Sequence, residues 1–284
     1  MRKRFLYFFG LVILAVLIYC LRQVFSGILI LPQVFNLGPL GIHYYGLIMA
    51  LAVACGFYLA IKRAKAYGIN PKTAEDLLFW LIIGGFIGAR LYHVLSSAPY
   101  YYSHPLDMIK VWNGGLSIYG ALIGGLVSLL ICKKSYNLQL TTYNLLDWLT
   151  PSLIVGQIIG RFGNLFNYEA FGYPTNLPWK MFVPLGFRPQ GFEQFAYFHP
   201  FFLYELSGNL IILFLLLKVI KPKVPGNLFF SYVLLYNLLR FALEFLRIDS
   251  TFINGFRLNA AVSLALVVLG ITALIFTSKH AETA

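Results

Sequence analysis

The sequence predicts an all-α polytopic membrane protein: a bundle of about eight transmembrane helices carrying a small extracytoplasmic head. Three observations carry that prediction. Hydrophobic residues make up 59% of the 284 and charged residues only 11%, with a mean hydropathy of +0.75, whereas soluble domains carry about 25% charged residues. Apolar runs recur along the whole chain, near the ~20 residues a helix needs to cross a ~30 Å hydrocarbon core. The ~10-residue alternating segments of a transmembrane barrel are not the pattern here. Finally, the cationic clusters fall in every second connection, as they do when alternate loops face the cytoplasm.

The first span opens on "MRKR" and runs to about Tyr19. A charged start and an apolar middle suit a secretory signal, and Cys20 even mimics the end of a lipoprotein signal. The bulky Tyr19, and a continuation that is not a soluble mature protein, argue instead for an uncleaved helix. Later spans fall at about 43–61, 77–96, 115–132, 147–166, 201–220, 227–247 and 259–277. Arg2, Lys3 and Arg4 precede the first; Lys62, Arg63, Lys65 and Lys72 follow the second. Lys133 and Lys134 follow the fourth, Lys218, Lys221 and Lys223 the sixth, and Lys279 the eighth. With alternating spans all these clusters share one side, which the positive-inside rule makes cytoplasmic, as are both termini. The longest non-apolar connection, 168–199, then faces outward. Pro174, Pro178, Pro184 and Pro189 forbid a long helix there, so it reads as a head of turns and short strands with aromatics at headgroup level.

A net charge of +12 reports orientation and anionic headgroups in such a chain, and no Lys/Arg stripe with interleaved aromatics points to nucleic acid. Cys20, Cys55 and Cys132 lie in apolar runs without CxxC spacing, the pattern of inert buried thiols. The five histidines form no HxxxH pair and no carboxylate-rich set, so no metal is expected. No internal repeat favours an inverted-repeat transporter.

Function is legible in where the intramembrane polarity goes. His43 and Tyr45 open the second span at its outer end, and Arg90 and His93 lie near the outer end of the third. "NGGLSIYGALIGG" opens the fourth; Arg161, Asn164, Asn167 and Glu169 close the fifth outward. "HPFFLYE", ending at Tyr204 and Glu205, opens the sixth, and "YNLLRFALEFLR" closes the seventh. In the last stretch Tyr236, Arg240, Glu244 and Arg247 fall on one face of a 3.6-residue helix. Charged residues inside spans cost about 2.5–3.5 kcal/mol each at the helix centre, so they mark a pathway or a site. Arginines outnumbering carboxylates at that depth predict a phosphate partner, since guanidinium binds phosphate oxygens bidentately. Asn164 and Asn167 offer amide donors, and Gly114, Gly115, Gly120, Gly124 and Gly125 permit close helix approach.

"GRFGNLFNYEAFG", Gly160 to Gly172, resembles the signature of prolipoprotein diacylglyceryl transferases. "LGPLGIHYYGL", "VWNGGLSIYGALIGG", "HPFFLYE" and "RFALEFLRIDS" appear around it in family order. The resemblance spans about Leu37 to Ala273. It implies that residues 1–25 are an added helix and that 26–284 form the transferase domain in a bacterial cytoplasmic (inner) membrane, with the active site near the outer leaflet. The implied activity moves a diacylglyceryl group from phosphatidylglycerol to the lipobox cysteine of a preprolipoprotein signal peptide, without cofactor or metal. Carried over by motif, Arg161, Asn164, Asn167 and Glu169 form the signature set; Tyr236, Arg240, Glu244 and Arg247 the later-helix set; and His43, Tyr45, Tyr204 and Glu205 complete the carry-over. Tyr119 stands where many members carry histidine. The proton acceptor is therefore open among Glu169, Glu244, Tyr119 and His43. A lipid or anion transporter, or a noncatalytic lipid-binding homologue, is the competing expectation.

Overall fold

A computed structural model describes residues 2–220, 224–253 and 255–282. The chain is mainly helical, and five helices are long and apolar enough to cross a membrane: Tyr44–Tyr67, Pro71–Ser96, Ile118–Ser135, Phe201–Val219 and Leu258–Lys279. Only 17–28% of their most apolar stretches is buried within the protein. Apolar helical surface left open on that scale is solvated by lipid rather than water, and the protein is a multi-pass membrane protein. Two further expected spans form helices, α6 (Thr142–Asn167) and α8 (Asn227–Glu244), but the arginines and amides they carry reduce their apolarity below that of the five. Of the expected first span, α1 (Arg2–Phe25), the described apolar stretch is Ala15–Phe25.

The chain divides into two compact units, Gly56–Ser152 and the remainder. Within Gly56–Ser152, α3 (Pro71–Ser96) packs along α5 (Ile118–Ser135). Asn70 caps α3 by accepting from the Lys72 amide at 2.9 Å, with Pro71 at the first helical position. The α3–α5 contact is glycine on glycine. A Cβ added to Gly88 would lie 2.8 Å from the Gly124 Cα and closer still to the Gly120 carbonyl, while one on Gly120 would strike the Gly88 carbonyl. Here the expected close approach is backbone packing, whereas Gly125 faces open space. The unit's core gathers Leu77, Leu78, Leu129, Leu145 and Trp148, and the Trp148 indole donates to the Ala60 carbonyl at 2.7 Å. Between α3 and α5 run α4 (Ala98–Ser103) and two 3-10 turns. α5 starts later than expected because Gly114 and Gly115 take φ of 87° and 77°, outside any helix.

The other unit opens with α1 and a hairpin, β1 (Val34–Leu37) with β2 (Leu40–His43), which leads into α2 (Tyr44–Ala64). The 168–199 connection contains β3 (Met181–Phe182) paired antiparallel with β4 (Tyr197–Phe198), so short strands form where they were expected. Its core joins Phe171, Met181, Val183, Phe198 and Phe202 to Val24 at the end of α1. α1 is thus integrated by its C-terminal turn. A second core holds Ile154 and Ile158 of α6, Leu206 and Ile212 of α7 (Phe201–Phe214), and Leu228 and Tyr232 of α8. A last hairpin, β5 (Phe252–Ile253) and β6 (Phe256–Arg257), precedes α9 (Leu258–Glu282), which packs on α8. Cys132 is buried, Cys55 half-buried and Cys20 exposed, so the expected burial of all three thiols holds for one.

Candidate active site

The C-terminal part of α6 presents Arg161, the first turns of α7 present Glu205, and α8 presents Arg240 and Glu244 four residues apart. Their side chains meet. Arg161 Nη1 lies 2.9 Å from Glu205 Oε2, Arg240 Nη1 lies 3.5 Å from Glu205 Oε1, and Arg240 Nη2 lies 2.8 Å from Glu244 Oε2. The Glu205 and Glu244 side chains are 3% and 0% exposed, so these are buried ion pairs. Arg240 Nη1 feels the Glu205 charge without the alignment of a hydrogen bond, and Glu244 Oε2 likewise has none. Asn259 from α9 donates to the other Glu244 oxygen at 3.2 Å. Tyr236 lies one turn before Arg240 on α8, its ring 5.5 Å from that of Tyr232.

The signature continues from this layer through the last turn of α6. Asn164, one turn after Arg161, accepts from its guanidinium at 3.4 Å and donates to Glu169 Oε1 at 2.8 Å. Glu169 is held between Tyr168 and Ala170, both in the left-handed region at φ of 50° and 52°. Non-glycine residues hold that conformation at a cost of about 1–3 kcal/mol, and such positions cluster at functional sites. The Tyr168 hydroxyl accepts from the Leu31 amide at 2.6 Å, which helps to fix the turn. Tyr45 lies against Gly163, where a Cβ would come within 2.8 Å of its ring, and within charge reach of Glu169 and Arg161. Gly172 bridges to Arg247, so the close of the signature is stitched to the end of α8.

Three expectations are corrected by this geometry. α8 ends at Glu244, so Arg247 leaves the helical face it was expected to share. It pairs with Asp249, its Nη2 lying 2.8 Å from Oδ2, and not with Glu244. Burial pushes the Asp249 carboxyl up, but the Arg247 hydrogen bond and charge outweigh it and hold the carboxyl below its ordinary range. Second, the cations are matched: Arg161, Arg240 and Arg247 face Glu205, Glu244 and Asp249. Among the described residues, these three arginines each have a carboxylate partner, so this set does not show the surplus positive charge expected from the sequence. Third, Arg90 donates to the carbonyls of Asp107, Met108, Lys110, Gly114 and Gly115. All its donor directions go into holding the α3–α5 connection.

The remaining expected residues sit as follows. Tyr204 accepts from the Trp179 indole at 2.8 Å and bonds His199 Nδ1 at 3.0 Å, on the head side of α7. Burial lowers the His199 pKa below its ordinary value. Asn167 ends α6, its carbonyl 3.5 Å from Gln33 Nε2, and His43 is exposed at the end of β2. Tyr119 occupies the first turn of α5 in the other unit, its ring 6.1 Å from that of Tyr92. Sequence reasoning missed Phe201, whose ring lies under both Arg240 and Arg247 at 5.5 and 5.9 Å. It also missed Arg257, which closes the end of α8 by donating to the carbonyls of Glu244 and Arg247. Glu205, carried over with Tyr204 from "HPFFLYE", was given no role in the chemistry.

Comparison with known proteins is decisive at this point. The family model described as "Prolipoprotein diacylglyceryl transferase" matches residues 32–276. This chain belongs to that family. The transferase match takes in every residue of the ion layer and the signature turn. Among similar curated proteins are the phosphatidylglycerol–prolipoprotein diacylglyceryl transferases of Synechocystis sp., 41% identical over 86% of this chain and 88% of the relative, and Trichormus variabilis, 42% identical over the same shares. That of Thermotoga maritima is 39% identical over 92% of this chain and 90% of its own length.

Proposed function

We infer that this chain is a transferase that moves the diacylglyceryl group of phosphatidylglycerol onto the thiol of a prolipoprotein's lipobox cysteine. The observation that carries the reading, beside family membership, is the buried layer of Arg161, Glu205, Arg240 and Glu244, in which the Arg240 Nη1 donor is left without an aligned acceptor. An unesterified phosphate oxygen is the acceptor that a buried guanidinium takes best.

The sulfur attacks the glyceryl carbon that bears the phosphate ester. A carbon–sulfur bond forms, the carbon–oxygen bond breaks, and its electron pair leaves on the phosphate of glycerol phosphate. Arg161 and Arg240 stabilise the charge that grows on that phosphate. A phosphate arriving between them competes with Glu205 for both guanidiniums. Glu205, released from those partners, joins Glu169, Glu244, Tyr119 and His43 among the candidates to accept the thiol proton. Asn164 and Glu169 orient Arg161 from the signature turn; Tyr45, Tyr236 and Asn167 line the approach; Arg247, on Phe201, closes the layer beyond the end of α8, and Tyr204 anchors the head.

The same reading assigns eight spans, with 1–25 as an added helix, both termini cytoplasmic and 168–199 as an extracytoplasmic head. The chain then lies in the bacterial cytoplasmic membrane with its active site near the outer leaflet. Arg240→Ala tests the core of the assignment. Transfer to a lipobox peptide should fall by at least ~100-fold, the scale of removing a transition-state donor, with the protein still eluting as a folded species. Full activity in that variant contradicts it.

A further inference from the structure

Beneath the ion layer lies a second polar layer, one helical turn deeper. Gln157 precedes Arg161 by four residues on α6, Asn209 follows Glu205 by four on α7, and Tyr232 precedes Tyr236 by four on α8, so each shares the face of its partner. Gln157 Nε2 donates to the Tyr232 hydroxyl at 2.8 Å. Ile158, Leu206, Ile212 and Tyr232 belong to one apolar cluster, which puts Asn209 at the same level. Asn209 is 0% exposed.

Among the described residues, five of the eight buried side-chain polar atoms without a hydrogen-bond partner belong to these two layers: Gln157 Oε1, both amide atoms of Asn209, Arg240 Nη1 and Glu244 Oε2. Buried polar groups in folded proteins are overwhelmingly paired, and a local concentration of exceptions points to a ligand. The unmet demands are specific. Gln157 Oε1 needs a donor and Asn209 needs one of each, while Arg240 Nη1 and Glu244 Oε2 lie in ion pairs at 3.5 and 2.8 Å that lack hydrogen-bond alignment. A phosphodiester ending in a diol meets all of them: its charged oxygens accept, and its hydroxyls both donate and accept. An ammonium headgroup cannot, since it has donors alone or none and sets a cation beside two arginines.

We propose that Asn209 and Gln157 select the lipid donor by its headgroup, receiving the glycerol hydroxyls of phosphatidylglycerol while Arg161 and Arg240 hold its phosphate. This rests on the transferase reading above. Asn209 is wholly buried, so the headgroup reaches it by displacing apolar side chains of the surrounding cluster.

The test compares phosphatidylglycerol with phosphatidylpropanol, which keeps the phosphodiester charge and the acyl chains and lacks both hydroxyls. Each is supplied in mixed micelles with a lipobox peptide, and kcat/KM is read from the peptide mass gain. The full-length protein should prefer phosphatidylglycerol by at least ~10-fold, because a site built for hydroxyls rejects an analogue without them. Asn209→Leu and, independently, Gln157→Leu should cut that ratio to about 2 or less. Asn209→Leu should not lower the thermal midpoint, since an apolar isostere removes an uncompensated group; if it does not fold, Gln157→Leu alone decides. Equal use of both lipids by the unmodified protein, or a proportional loss on both in the variants, overturns the proposal. No transfer from either lipid by folded protein contradicts the transferase reading itself, and this one with it.

Discussion

A buried carboxylate facing two guanidiniums cannot be removed quietly. Glu205 holds Arg161 at 2.9 Å and Arg240 at 3.5 Å from a side chain 3% exposed, and breaking such a pair leaves uncompensated charge worth about 3–5 kcal/mol. Glu205→Leu should therefore lower the thermal midpoint as well as activity. Glu205→Gln keeps shape and hydrogen bonding but cannot take a proton. If Glu205 accepts the thiol proton, kcat falls ~100-fold or more with a smaller change in the lipid KM. A pure KM effect would reassign Glu205 to positioning. Arg161, Asn164, Arg240 and Glu244 were legible in sequence because charges and amides inside apolar runs are expensive and therefore informative. Glu205 was visible only as part of a motif, since its partners lie 44 and 35 positions away in the chain. Phe201 and Arg257 gave no signal: one acts through its ring face and the other through backbone carbonyls.

At the scale of elements, the apolar runs foretold the helices, while their ends were decided by backbone chemistry that hydropathy does not see. α5 waits for two left-handed glycines, and α8 stops at Glu244, where Arg257 caps the exposed carbonyl. That stop moves Arg247 off the helical face and into partnership with Asp249. The α3–α5 contact makes a sharper prediction. Gly124 packs so closely on Gly84 and Gly88 that a side chain there meets backbone, whereas the adjacent Gly125 is open. Gly124→Val should destabilise by at least the ~1–3 kcal/mol of an overpacked core, read as a lower midpoint in a detergent thermal melt. Gly125→Val should leave it nearly unchanged. Similar behaviour of the two variants would contradict the packing described.

Across the whole molecule, composition and run length identified a multi-pass membrane protein, and five helices meet that description in full. α6 and α8 fall outside those five and carry Arg161, Arg240 and Glu244 of the ion layer, so what weakens them as spans is what makes them a site. Charge balance was the global property least accessible from sequence. Arginines and carboxylates spread over α6, α7, α8 and the turn after it can be counted in a sequence, but their pairing depends on how the helices meet. A neutral, tightly paired layer implies that substrate phosphate enters by exchange with Glu205 and not by filling a bare cationic pocket. The measurement that tests the central claim most directly is incubation of the purified protein with phosphatidylglycerol and a lipobox peptide, beside the same peptide with serine for cysteine. A diacylglyceryl mass gain on the cysteine peptide alone, with stoichiometric release of glycerol phosphate, is the predicted result. No gain on either peptide from folded protein would contradict the account.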